Sequence, residues 1–217
     1  MKALFVGAHF DDIELIMGGT VAKFSSHDNR HQAYCIVTSD SSYTNYKGEE
    51  VRSLDRALTE GIQGLQTLGV SEDRIYLLNF PTKSVPYDEV IIEQLDEIIH
   101  DIRPDLIFTH YMNDSHQDHF NTARAVISAA RYQNTILMGE ALYPSNVAHR
   151  GAFRPVVYTD ITSTFNYKLK AIQCHQGEIQ NHSFWIDQVT ALGRTRGIEV
   201  GSQYAEAFEP VKMELKI

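Results

Sequence analysis

Short apolar runs alternate with helical hydrophobic periodicity along nearly all of this 217-residue chain, and few folds accept that rhythm. Lys2–Ala8 is an apolar run ending in a polar cluster, as a strand buried on both faces of a sheet does. Gly18-Gly19-Thr20 then opens a helical pattern through Ala22, Lys23 and Phe24, and His31–Ser39 reads as a second strand. Glu49–Leu68 carries Val51, Leu54, Leu58, Ile62, Leu65 and Leu68 at three- and four-residue steps, an amphipathic helix closed by Gly69. Arg74–Phe80 is a third strand and Tyr87–Ile102 a helix that Pro104 ends. Asp105–His110 is a fourth strand and His119–Tyr132 an alanine-rich helix. Pro155–Thr159 suits a fifth strand, followed by helices over Asn166–His175 and Trp185–Leu192. Strands separated by helices predict an α/β domain spanning 1–217, a Rossmann-like three-layer fold with a mostly parallel sheet and right-handed crossovers. Residues 139–155 have the least regular pattern and are expected to form a long loop over the site.

Composition narrows the function classes. With 43% apolar and 22% charged residues the chain is neither disordered nor fibrous. A formal charge of −9 repels phosphate polymers and anionic membranes, so nucleic acid is not an expected partner. Cys35 and Cys174 make no disulfide framework and no four-cysteine metal site. The opening Met1–Ala8 run is too short for a signal peptide, and no run reaches the ~20 apolar residues of a membrane span. A cytoplasmic setting is the expectation. The ten histidines stand out, because neutral imidazole is the commonest metal-ligating side chain.

In open α/β sheets ligands sit beyond the carboxyl ends of the strands. The first strand is followed by Ala8-His9-Phe10-Asp11-Asp12-Ile13-Glu14, and the fourth ends in His110-Tyr111-Met112-Asn113-Asp114-Ser115-His116-Gln117-Asp118-His119. Together His9, Asp12 and His119 offer two imidazoles and a carboxylate, the three-ligand set of a catalytic zinc that keeps a position for water. Asp11 is too close in sequence to Asp12 to turn to the same point, and it is the candidate general base. His116, one helical turn before His119, is the candidate acid or, as imidazolium, oxyanion stabiliser. Asp118 is expected to hydrogen-bond an imidazole, that of His116 first, raising its pKa. Either motif alone also reads as a helix cap; the chemical reading rests on the pair.

These two motifs, with Gly18-Gly19-Thr20 and the closing Tyr204-Ala205-Glu206-Ala207-Phe208, resemble those of the PIG-L/LmbE-like deacetylases over nearly the whole chain. That family includes zinc-dependent N-deacetylases of N-acetylglucosaminyl compounds, such as those of mycothiol and bacillithiol synthesis. The resemblance implies zinc on His9, Asp12 and His119, with ferrous iron or another divalent metal as alternatives, Asp11 as base and His116 as acid. It implies hydrolysis of an N-acetyl amide on a small amino-sugar substrate. Phe10 and Gln117 stand where the family has proline. Arg52, read as opening the second helix, is a candidate for binding a sugar hydroxyl or phosphate; its alternative is a solvated helix residue. Glu14 either supports a ligand or binds substrate, unless it is only a helix-start acid. His175 resembles a family histidine that approaches the substrate, against the alternative of a satisfied core residue. Asn113-Asp114-Ser115 reads as turn chemistry, and Trp185 as core or rim. The rival readings are a metallohydrolase of another bond, such as a phosphoester, and a non-catalytic sugar- or nucleotide-binding relative. The oligomeric state stays open, a homo-oligomer included.

Overall fold

The first strand is apolar throughout because both of its faces are covered. In the computed structural model, which describes residues 1–25, 30–142 and 152–214, Ala3 and Phe5 belong to one core and Leu4 and Val6 to another. The elements run β1 (Lys2–Gly7), α1 (Phe10–Phe24), β2 (Gln32–Ser39), β3 (Tyr43–Thr44), β4 (Glu50–Arg52), α2 (Leu54–Thr67), β5 (Ile75–Phe80), α3 (Glu89–Ile102) and β6 (Leu106–His110). They continue as α4 (Gln117–Ala129), β7 (Ile136–Gly139), β8 (Val157–Asp160), α5 (Phe165–Ile172), α6 (Gln176–Asn181), α7 (Trp185–Val200) and β9 (Ala205–Lys212). Seven strands form one sheet in the order β5-β2-β1-β6-β7-β9-β8. The first five in that order are parallel, while β9 runs antiparallel to both β7 and β8. Helices α1, α2 and α5 pack on the face of Phe5, and α3 and α4 on that of Leu4 and Val6. The result is the expected three-layer α/β fold.

Strand order positions the site. The chain moves outward from β1 to β2 and β5, then returns to lay β6 on the other side of β1. The carboxyl ends of β1 and β6 therefore flank the point where the sheet changes direction, which leaves a crevice between diverging connections.

Several elements differ from the sequence expectation. Helix α1 begins at Phe10, straight after His9, and Gly18-Gly19-Thr20 lies inside it, just past a kink where Met17 has φ −139° and ψ 15°. The N–H groups of Gly19 and Thr20, freed at the kink, donate to Glu206 of β9 (2.9 and 2.8 Å), and Lys168 neutralises that carboxylate at 2.6 Å. Residues 50–52, predicted helical, instead pair with β3 as a short hairpin, so Arg52 sits on a strand. Ser53 is the true cap of α2, its side chain accepting from the Arg56 N–H. Neither β7 nor β9 was expected, α5 stops before His175, and α7 runs on to Val200. Of the expected 139–155 loop, residues 143–151 lie outside the described residues.

Phe10 is fully buried, and its ring lies against Gly61 of α2, where an added Cβ would overlap the ring. The residue that replaces the family proline is thus matched by a mid-helix glycine, which costs about 1 kcal/mol of helix propensity relative to alanine. Gly61→Ala should cost about 1–3 kcal/mol in overpacking against about 1 kcal/mol recovered in helix propensity, a net loss read as a lower urea midpoint. In a Phe10→Leu background the same change should cost less, a non-additivity that a double-mutant cycle would measure. Equal costs in both backgrounds would break the proposed pairing.

Candidate metal centre at the sheet switch point

Asp12 is the third residue of α1, and its Oδ2 accepts the His9 N–H at 2.7 Å. This reach back to the helix cap, the acidic half of a capping box, turns the carboxylate toward the end of β1. His9 Nδ1 then lies 3.1 Å from Asp12 Oδ2, and His119 Nε2, delivered by the first turn of α4, lies 3.2 Å from Oδ1. The two ring nitrogens face each other at 3.3 Å. The metal-binding atoms of His9, Asp12 and His119 all fall within 4.8 Å of one another. Segments more than a hundred residues apart therefore converge on one point.

Outer groups hold these three. His119 Nδ1 donates to Asp114 Oδ2 (2.9 Å), while Asp114 Oδ1 accepts the His116 N–H (2.8 Å). The Asn113-Asp114-Ser115 turn is real, and its aspartate also fixes the ring orientation of His119. His110, fully buried at the end of β6, accepts the Ala8 N–H at Nε2 (2.8 Å), lies 3.3 Å from Asp12 and stacks on His119 with centroids 4.2 Å apart. It was read only as the end of a strand; its position beside a polar cluster was the available signal. Asp118 departs from expectation. Its carboxylate does not hold the His116 ring but receives His9 Nε2 (3.2 Å) and the N–H groups of Lys83 (2.6 Å) and Val85 (3.1 Å). His116 instead caps α4, its Nδ1 accepting the Asp118 N–H.

The electrostatics follow from this wiring. Burial alone depresses the His9 imidazole, but Asp12 and Asp118 outweigh it and push the pKa up to about 10. Burial likewise opposes protonation of His119, and Asp12 and Asp114 lift it to about 9. Burial and the positive His119 and His9 rings push His116 down to about 4, so it is neutral rather than the expected imidazolium. With Nδ1 accepting, its proton sits on Nε2. His110 is depressed by burial and by His119. The cluster thus draws positive charge between His9 and His119 while their two cationic rings repel. A divalent cation resolves that conflict, since both nitrogens then present lone pairs, and the donor set fits one. Two further donor groups, His9–His116–Asp118 and His110–Asp114–His119, each share a histidine with the first.

A cavity of about 380 Å³ opens over this cluster. Asp11, Arg52 and His116 are on its wall with His9, Asp12 and His119, and Arg52 approaches Asp11 at 3.8 Å. Glu14 and His175 are not on that wall. Both are fully buried behind Arg52, with His175 Nε2 3.3 Å from Glu14 and Nδ1 3.0 Å from Arg52. His175 meets the guanidinium rather than the cavity, and Glu14 meets His175. Phe10 and Gln117 are also off the wall; Gln117 donates to the Lys83 carbonyl. Tyr43, Glu178 and Trp185 line it without having been singled out as binding residues.

Comparison with known proteins agrees with this architecture. Residues 4–130 match the family described as PIG-L: GlcNAc-PI de-N-acetylase. The 4-oxalmesaconate hydratase of Pseudomonas putida is 24% identical over 214 residues, covering 91% of this chain and 80% of the relative. Among solved structures, the N,N'-diacetylchitobiose deacetylase from Pyrococcus horikoshii superposes with a TM-score of 0.79 at 22% identity, over 97% of this chain and 83% of that one. The 4-carboxy-2-hydroxymuconate hydratase of Pseudomonas putida does so at 0.79 and 18%, over 100% and 98%. With a family match over more than half its length, a shared fold and a candidate metal site at the switch point, this chain belongs to the PIG-L family, which takes in both deacetylases and a hydratase.

Proposed function

We propose that this protein removes the acetyl group from an N-acetylated amino sugar, using one divalent metal ion, zinc first among the candidates. The observation that carries the reading is the cluster of His9, Asp12 and His119 at the floor of a cavity whose wall also bears Asp11 and His116. Bound there, the metal would acidify a water molecule and polarise the acetyl carbonyl. Asp11, held near Arg52, takes the water proton as general base. His116 offers its neutral Nε2–H to the carbonyl oxygen as charge develops there. The water oxygen bonds to the carbonyl carbon, and the carbon–nitrogen bond then breaks as the proton on Asp11 passes to nitrogen, giving acetate and a free amine. Asp118, expected beside His116, works in this scheme by orienting His9 and anchoring the 83–85 loop.

A two-metal phosphoesterase is the weaker reading: the donor groups His9–His116–Asp118 and His110–Asp114–His119 share no residue, but Asp118, His116 and His110 already accept backbone N–H groups, and filling both would divide His9 and His119 between two ions. Water addition to an unsaturated acid is favoured by the 24% identity to the hydratase. The deciding assay is a panel of N-acetyl sugars scored for acetate, run beside 4-oxalmesaconate scored for hydration. Turnover of the acid alone would overturn the deacetylase assignment.

Elemental analysis should find one divalent metal per chain, and none in His119→Ala. Because His9 and His119 are protonated without metal, loading should release about one to two protons, and apparent affinity should climb as pH rises toward about 9. A pH-independent affinity between 6.5 and 9 would contradict that electrostatic picture. Asp11→Ala and His116→Ala should each keep the metal and lose turnover by ~10²–10⁴; acetate release at the parent rate by either would remove that residue from the mechanism.

A further inference from the structure

The cavity wall carries a carboxylate that the reaction scheme leaves unused. Glu178, on α6, is 5% exposed and lines the cavity. Among the described residues, its side-chain oxygens receive one hydrogen-bond donor, the Tyr43 hydroxyl, shared between them at 3.2 and 3.3 Å. His182 Nε2 stands off at 3.8 Å. A buried carboxylate has room for about four hydrogen bonds, and buried polar groups in folded proteins are normally satisfied. This one keeps acceptor capacity on a wall that it shares with the ligand space.

Resting on the amino-sugar reading above, we infer that Glu178 and Tyr43 form a subsite that binds neighbouring hydroxyl groups of the substrate's sugar ring. The two carboxylate oxygens suit a pair of O–H donors on adjacent carbons, and the Tyr43 hydroxyl can turn to accept or donate beside them. Burial and the nearby Asp11 charge already raise the Glu178 pKa, so a ligand carboxylate placed against Glu178 would meet repulsion where a hydroxyl would donate. Arg52, the buried cation nearby, is taken up by Glu60 at 3.4 Å and by Asp11. The position against Glu178 therefore favours a hydroxyl over a carboxylate group.

Trp185 makes this testable without turnover. It is the chain's one tryptophan, it lines the cavity, and its indole stacks on His182 at 4.9 Å, beside Glu178. Fluorescence titration of the purified protein should show saturable binding of N-acetylglucosamine and of glucosamine. Glu178→Gln, which keeps the shape and removes the charge, should weaken sugar binding by about tenfold or more. Tyr43→Phe, which leaves Glu178 charged, should weaken it less. Circular dichroism and thermal melting of both variants separate lost binding from lost folding. Unchanged sugar affinity in folded Glu178→Gln overturns the subsite. Sugar binding without acetate release would instead keep the subsite and remove the deacetylase reading.

Discussion

The Asp12 carboxylate is the interaction on which the rest of the site depends. It caps α1 through the His9 N–H, and it contacts imidazoles from three separate places: His9 at the start of α1, His110 at the end of β6 and His119 in α4. A carboxylate this buried is costly unless positive charge or hydrogen bonds compensate it. Two raised histidines supply that charge when no metal is bound, but they do so 3.3 Å apart. The arrangement is strained as a proton store and relaxed as a ligand set. A site whose electrostatics are settled by a cation is one whose geometry is prepared before the cation arrives.

The supporting shell shows why the outer residues could not be swapped freely. Asp118 joins His9 to the 83–85 loop through two backbone N–H groups, and Lys83 there takes a left-handed conformation with φ +67°. A non-glycine residue in that region is unfavourable and persists only when its surroundings determine it. Gln117 adds a hydrogen bond to the Lys83 carbonyl from the same helix start. The position where the family has proline here carries a side chain that ties α4 to the loop bearing Lys83, which also lines the cavity. Rigidity that proline would lend through its fixed φ comes instead from a contact.

Much of this is legible in the sequence. The central strands β1, β2, β5 and β6 are apolar runs bounded by turns, and the His9–Asp12 and His116–His119 motifs sit directly after two of them. What escaped had physical reasons. Helix α1 is buried all round from Asp12 to Ala22, so it has no polar face and no amphipathic period to mark its start. Val51 and Leu54 fall at helical spacing from Leu58 by coincidence, which hid the β3–β4 hairpin and the Ser53 cap. Strand β7 is four residues long and β9 contains Pro210, both weak strand signals. Asp118 does not pair with the His116 ring, because two residues close in sequence at a helix start turn their side chains to different partners. His116 had already spent Nδ1 on the backbone at the helix cap. Glu178 lies on a six-residue helix too short to show a period.

Glycine placement explains how a wholly buried helix can carry reactive residues without loosening them. Gly61 admits the Phe10 ring, Gly64 faces Glu14 and His175, and Gly19 lies against Ile161, so α2 and the segment before α5 approach α1 closely along its length. Each half of the kinked helix begins with backbone N–H groups received by a carboxylate: Asp12 for the first, Glu206 for the second. The kink is thus satisfied rather than frayed, and Lys168 neutralises Glu206 in the interior. Because α1 is clamped on every side, His9, Asp11 and Asp12 inherit the stiffness of the core although they face a cavity. The buried stretch Asp12–Ala22, about 16 Å of helix at 1.5 Å per residue, thus gives the Asp12 contacts a fixed base from which to orient the histidines.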